Sequence, residues 1–183
     1  MPKLYLVRHG EPAALWGAHP DPGLSELGHH QSELVAEKFA GNGAQGLITS
    51  PLARCRETAG PTAARLGKAA TINRAVAEIP VPSHVTDHRP WLMSVMGGKW
   101  SDHHVDPDLR IWRAGVGEVL LALNEDTIIF SHFVAINAAV SLAMGVDEVT
   151  VFKPGHASVT ILEAQNGVLR VVELGAEAAI ALA

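Results

Sequence analysis

The chain has 183 residues, 48% hydrophobic and 18% charged, with a formal net charge of -5. That length suits one domain, residues 1–183, with a sizeable core, and the acidic balance without a basic stripe argues against nucleic acid as a partner. No apolar run approaches the roughly 20 residues that cross a bilayer, MPKLYLVRHG does not read as a signal peptide, and the single cysteine, Cys55, excludes an intrachain disulfide and suits a reducing cytoplasm.

Residues 4–7 are a short apolar run, the pattern of a strand buried on both faces. The next periodic stretch, around Leu27, Leu34, Val35 and Phe39, predicts a helix with Ser25 as N-cap and Gly41 as its stop. Residues 46–49 predict a second strand. Ser50-Pro51 then has the chemistry of a helix start, serine as N-cap and proline in the first turn. Leu52, Cys55, Ala59, Ala63 and Leu66 would form that helix's apolar face. A third strand is expected within residues 70–79.

Residues 80–107 break the pattern with four prolines, four histidines, two tryptophans and a Gly-Gly. They read as an irregular, functional insertion over the site, with one short helix near residues 91–96. Asp106-Pro107 opens another helix, with Trp112, Val116, Val119, Leu120 and Leu123 on its apolar face. Residues 127–130 predict a buried strand and 133–144 a helix stopped by Gly145. Two final strands flank Asn166-Gly167, a tight-hairpin signal, and the alanine-rich tail is expected to fray. Strands alternating with helices give an α/β class, three layers α/β/α around a mostly parallel sheet.

In such a sheet, ligands bind beyond the carboxyl ends of the strands. One predicted strand ends in Arg8-His9-Gly10-Glu11, another runs into Ser50 through Arg54, and a later one ends in Ser131-His132-Phe133. If these strands are parallel neighbours, two histidines and two arginines share one rim. Arginine is a permanent cation whose planar fork matches phosphate oxygens. A helix N-terminus adds unpaired N–H groups. A histidine among arginines is kept neutral, and neutral imidazole is a nucleophile capable of covalent intermediates. Gly10 would clear space where a ligand approaches the backbone.

RHGE after an N-terminal strand, SPLARCRET, the stretch Leu24-Ser25-Glu26-Leu27-Gly28 with Gln31, and the later Ser131-His132 together resemble the histidine phosphatase superfamily, the phosphoglycerate mutase-like proteins. The resemblance covers roughly residues 3–79 and 105–174. It implies a phosphomonoester hydrolase that needs no metal or other cofactor, with His9 as the nucleophile that becomes phosphohistidine. It implies Arg8, Arg54 and His132 as the phosphate pocket and Glu78 as general acid and base, with Asp87 as the second candidate for that role. The chain departs from the family pattern at four places. A Gly-x-Trp-Glu-Gly-like stretch is common soon after the glutamate, whereas here Gly98-Lys99-Trp100 comes late and without the acid. Pro12 stands where Ser or Thr is common, and Phe133 where glycine is common. The short stretch between Pro12 and Leu24 lacks the asparagine and arginine pattern of the mutases. A mutase-type phosphotransferase, a protein phosphohistidine phosphatase and a weakly catalytic phospholigand-binding module remain as alternatives.

Further substrate contacts are expected from Glu11, His84, Arg89, Phe133 and His156. Arg54 is favoured over Arg56 for the pocket, because a first-turn side chain leans back toward the helix N-terminus. Cys55, on an apolar face, reads as a buried inert thiol. The pairs His84/His88 and His103/His104 have no cysteine partners or helical HExxH context, so no metal site is expected. The expected partner is a phosphorylated small molecule, with a homodimer left open.

Overall fold

The computed structural model describes residues 1–15, 18–102 and 106–178. Its centre is a six-stranded sheet in the order β3-β2-β4-β1-β5-β6. The strands are β1 (Lys3–Arg8), β2 (Gly46–Thr49), β3 (Thr71–Ile72), β4 (Thr127–Ser131), β5 (Val159–Gln165) and β6 (Val168–Glu173). The helices are α1 (Glu26–Lys38), α2 (Ala53–Leu66), α3 (His88–Met96), α4 (Pro107–Leu121) and α5 (Phe133–Met144). β1 to β4 run parallel, and β5 and β6 continue the sheet antiparallel.

Alternation along the central strands makes the three layers. Leu4 and Leu6 of β1 and Ile129 of β4 join a cluster with Val116 and Leu120 of α4 and Ile136, Ala139 and Val140 of α5. Val7, Ile128 and Phe130 face the other way, onto Val35 of α1 and Cys55 and Ala59 of α2. A period of two along each strand therefore feeds two helical layers. The hairpin between β5 and β6 turns at Asn166 and Gly167, both with positive φ (52° and 75°), as a two-residue Asn-Gly turn requires.

The structure differs from several expectations. β3 has only two residues, because Asn73 stops it: its side chain accepts the N–H of Ala75 and opens a 3-10 turn over Arg74–Val76. On α1 the buried positions are Gly28, Ser32, Val35 and Ala36, while Leu27 and Leu34 are exposed. Small residues face inward because the helix lies against the backbone of the β1 loop; a Cβ on Gly28 would collide with the carbonyl oxygen of Glu11. Ser25 caps α1 as expected, but the helix ends at Lys38, short of Gly41. Ser50-Pro51 does not open α2, which starts at Ala53 with Leu52 at the cap and a carboxylate oxygen of Asp21 accepting the N–H of Ala53. Residues 176–178 of the tail are held by backbone pairing with 153–155, so this part does not fray; residues 179–183 lie outside the described residues.

Residues 79–102 form a third apolar cluster. Ile79, Val95 and Trp100 pack with Leu109, Val134, Ala138 and Val149, and Trp91, Leu92, Met96, Trp112 and Phe133 border it. Backbone bonds from Trp100 N–H to Asp147 and from Val149 N–H to Gly98 tie this segment to the loop after α5. No described helix is long and apolar enough to cross a membrane.

Candidate active site

Strand register assembles the site. Arg8 lies opposite Ser131 and Thr49 opposite Phe130, so β1, β4 and β2 end on one line. One residue further, the N–H of His9 donates to Ser131 O and that of Ser50 to Phe130 O. The ladder thus continues just far enough to set His9, His132 and Ser50 side by side. β5 runs the other way and delivers its N-terminal approach, His156-Ala157-Ser158, to the same rim. The N–H of Ala157 reaches the carbonyls of Arg8 and His9 at 3.0 and 3.2 Å.

His9 is buried, with its ring 5.2 Å from that of His132 and 5.8 Å from that of His156. Its Nδ1 lies 2.7 Å from Gly10 O. A carbonyl only accepts, so Nδ1 carries the proton. Nε2 consequently holds a lone pair, which accepts from Arg54 Nε at 3.2 Å. Burial, then the charge of Arg54, holds the imidazole well below its usual pKa. His9 is therefore a neutral, oriented nucleophile.

Arg8 donates through one terminal nitrogen to Pro154 O at 2.8 Å and through the other to His156 Nε2 at 3.0 Å. Its guanidinium lies 5.3 Å from the centre of the Phe133 ring. Burial lowers Arg8 to about 10, opposed by Glu78, so it stays cationic at neutral pH. The same guanidinium helps burial to bring His156 down to about 4. Arg54 is also buried. Two buried nitrogens, Arg8 Nε and His132 Nδ1, have no hydrogen-bond partner. His132 is held neutral by burial first, then by His9, Arg54 and Arg8.

Of the two candidate acids, Glu78 is the one at the rim. Burial raises its pKa against the pull of the Ile79 N–H, Arg54 and Arg8. The Ile79 N–H meets Glu78 Oε1 at 3.0 Å. Asp87 instead stands exposed at the N-cap of α3.

Other expected residues fall into place differently. The space beside Gly10 is taken by helix α1 rather than left for a ligand, since a Cβ there would stand 2.7 Å from Gly28 O. Glu11 accepts the Ser25 hydroxyl at 2.8 Å and so fastens the start of α1, with one carboxylate oxygen committed away from the pocket. His84 and Arg89 are exposed and the structure does not bring them to the rim. His103 and His104 lie outside the described residues. Among the described residues no group of three or more His, Cys, Asp or Glu could hold a metal. Arg56 is exposed, and Cys55 is buried with its thiol pushed up by burial.

Sequence reasoning missed two contributors. Thr58 accepts the N–H of Gly10 at 2.9 Å and donates to Arg54 O at 2.6 Å, locking the β1 loop to α2. Ser50 places its hydroxyl 2.8 Å from His132 Nε2. Its signal was present: it is the first residue after a strand that ends on the same line as Arg8 and Ser131.

A three-layer α/β/α domain carrying paired histidines and arginines at its parallel strand ends has the architecture of the histidine phosphatases. Residues 4–86 match the profile of the histidine phosphatase superfamily (branch 1). Similar curated proteins include those named probable phosphoglycerate mutase GpmB of Yersinia pestis and Yersinia pseudotuberculosis. Each is 30% identical over 112 residues, covering 54% of this chain and 51% of its own. The chain thus spans about half the length of these relatives. Similar solved structures include phosphoserine phosphatase from Entamoeba histolytica in complex with 3-phosphoglyceric acid. It is 22% identical, with 96% of this chain and 98% of that one covered and a TM-score of 0.76. The mycobacterial glucosyl-3-phosphoglycerate phosphatase in complex with VO3 is 20% identical, with coverages of 97% and 100% and a TM-score of 0.74. These structural likenesses are likenesses of fold.

Proposed function

We propose that the protein hydrolyses small-molecule phosphomonoesters through a phosphohistidine on His9. The observation that carries this reading is the protonation pattern of the rim. His9 Nδ1–H is fixed on Gly10 O, Nε2 keeps its lone pair, and buried donors of Arg8 and His132 have no partner. A pocket of unsatisfied donors around a neutral nucleophile is complementary to a tetrahedral oxyanion.

In the first step His9 Nε2 attacks phosphorus and the bond to the leaving oxygen breaks. Glu78, whose carboxyl burial raises toward the protonated form, gives its proton to that oxygen, and the alcohol departs. Arg54 moves its donor from Nε2 to the phosphoryl oxygens, where Arg8 and His132 also donate. The Gly10 carbonyl stabilises the ring while Nε2 bears phosphorus. In the second step Glu78 takes a proton from water, the water oxygen bonds to phosphorus, and the N–P bond breaks to release inorganic phosphate. Neither step calls for a metal.

The apolar side of the rim favours hydrolysis over mutase-type transfer. Beyond Glu78 the wall is Ile79, Phe133 and the cluster they join, and the basic groups against it are already engaged: Arg8, over Phe133, donates to Pro154 O and His156, and Arg113, over Trp100, donates to Ser141 and Val146 O. A leaving group lacking a second anion fits that wall, whereas retention of a phosphorylated sugar acid needs cations there.

The test is hydrolysis of p-nitrophenyl phosphate in EDTA, with acid-labile phosphate sought on the protein after rapid quenching. Wild type is expected to turn over and to label on His9, and His9→Ala to do neither. Absence of wild-type turnover, or undiminished turnover by His9→Ala, would falsify the mechanism.

A further inference from the structure

His132 has two ring nitrogens in different settings. Nε2 faces the Ser50 hydroxyl at 2.8 Å and Cys55 Sγ at 3.3 Å. Nδ1 is buried without a hydrogen-bond partner. Held neutral, the ring carries one proton, and its location decides what the ring offers a ligand. With the proton on Nδ1 the ring keeps an unused donor, with the His9 ring 5.2 Å away. With the proton on Nε2 it would turn a lone pair toward an anionic guest.

The surroundings of Nε2 decide between these. Ser50 Oγ already accepts the N–H of Leu52 at 3.3 Å. That contact takes one of its two lone pairs, and the hydroxyl proton still needs an acceptor among its buried neighbours. Two neighbours compete, the His132 nitrogen and the Cys55 sulfur. Cys55 keeps its own proton, because burial raises the thiol, and directs it at Ser131 O at 3.3 Å. A neutral sulfur is a weak acceptor beside an imidazole nitrogen. The hydroxyl proton therefore goes to Nε2, and the ring proton stands on Nδ1.

We propose that Ser50 is a positioning residue that holds His132 as its Nδ1–H tautomer, so that the second histidine meets the phosphoryl group as a neutral donor rather than as a cation or an acceptor. The ligand half of this statement rests on the reading of the rim as a phosphoryl pocket. The tautomer itself does not. Ser50 and His132 are both fully buried, so no water competes for either nitrogen's partner in the closed rim.

Long-range 1H–15N correlation spectra of protein labelled with 15N-histidine read the tautomer directly, and the signals of His132 are those absent from His132→Gln. Wild type is expected to show the proton on Nδ1. Ser50→Ala is expected to lose that preference and to weaken inhibition by inorganic phosphate. Its kcat should fall by about 10- to 100-fold, at or below the loss seen on removing a transition-state donor. Ser50→Thr, which keeps the hydroxyl, should restore both. A wild-type His132 protonated on Nε2, or a Ser50→Ala spectrum and phosphate affinity like wild type, overturns the proposal. Should Ser50→Ala fail to fold, the wild-type spectrum alone decides. An Nδ1–H ring in a protein that neither binds phosphate nor turns over supports the role of Ser50 and instead removes the phosphatase reading.

Discussion

The strand-end rim and the segment of residues 79–102 are built on opposite terms. At the rim the strand ends and the first turns of α2 fix the reactive side chains together: register aligns Arg8 with Ser131, and His9, Gly10, Arg54 and Thr58 close on one another through short hydrogen bonds. The segment beyond Ile79 follows no ladder. It is held by a separate apolar cluster around Trp100 and by a few backbone bonds to the loop after α5. Its charged and polar side chains, His84, Asp87 and Arg89, stay in solvent. On the proposed reading, reactivity and selectivity lie on separate supports, one set by sheet topology and one by side-chain packing, as is common where loops over a scaffold carry specificity. Glu78 sits at the junction, last of the rim and first of the segment.

That junction is where the division can be broken with the largest effect. Glu78→Gln is expected to slow hydrolysis of alkyl phosphates by about 10²- to 10⁴-fold, the range for a lost general acid. Hydrolysis of p-nitrophenyl phosphate, whose leaving group needs no proton, should fall far less. Rates on the two esters, compared across pH, provide the measurement. Because burial raises the carboxyl, the alkyl-ester rate should decline as pH rises through that elevated value, and the variant should lose this limb. Equal losses on both esters would remove Glu78 from the acid role.

Acid stability sharpens the contrast next. His9, His132 and His156 are all depressed in the folded protein, chiefly by burial. Unfolded, they take up protons near their ordinary pKa of about 6.5. Between that value and the lower folded ones the unfolded chain binds more protons, so stability drops as pH falls below about 6.5. Urea midpoints should therefore decline from pH 7 to 5, and less steeply in His9→Asn. A flat profile would mean that these rings are not held neutral.

The smallest effect is expected from Phe133→Gly. The ring covers Arg8 at 5.3 Å and borders the apolar cluster. Its removal should change relative kcat/KM between aryl phosphates and phosphorylated carboxylic acids by about tenfold, the scale of a 1.4 kcal/mol contact. The expected gain is for the acids, and no change in the ratio would place substrate choice elsewhere.

How legible all this was depended on whether a feature followed from local pattern. The apolar run ending at Arg8-His9 marked both a central strand and the place where it opens to solvent, and the same logic located His132. Phe133 and Glu78 were reachable through resemblance. His156 was harder, because it arrives from the approach to an antiparallel strand, against the rule that sites gather at carboxyl ends. Ser50 was misassigned as a helix cap, since serine before proline carries that signal whether or not its hydroxyl is wanted elsewhere. The inward face of α1 was misread for a related reason: close contact with the β1 loop selects Gly28 over leucine, and periodicity counts only apolar residues. The segment over the rim resisted reading because its order comes from Asp147 and Val149, far along the chain.

Cys55 lies behind His132 as the chain's single thiol. Buried and protonated, it is silent toward alkylating reagents until the corner between β2 and α2 parts from the second histidine. Its modification rate is therefore a built-in clock for opening of the strand-end rim from within, one that an anion seated there is expected to slow.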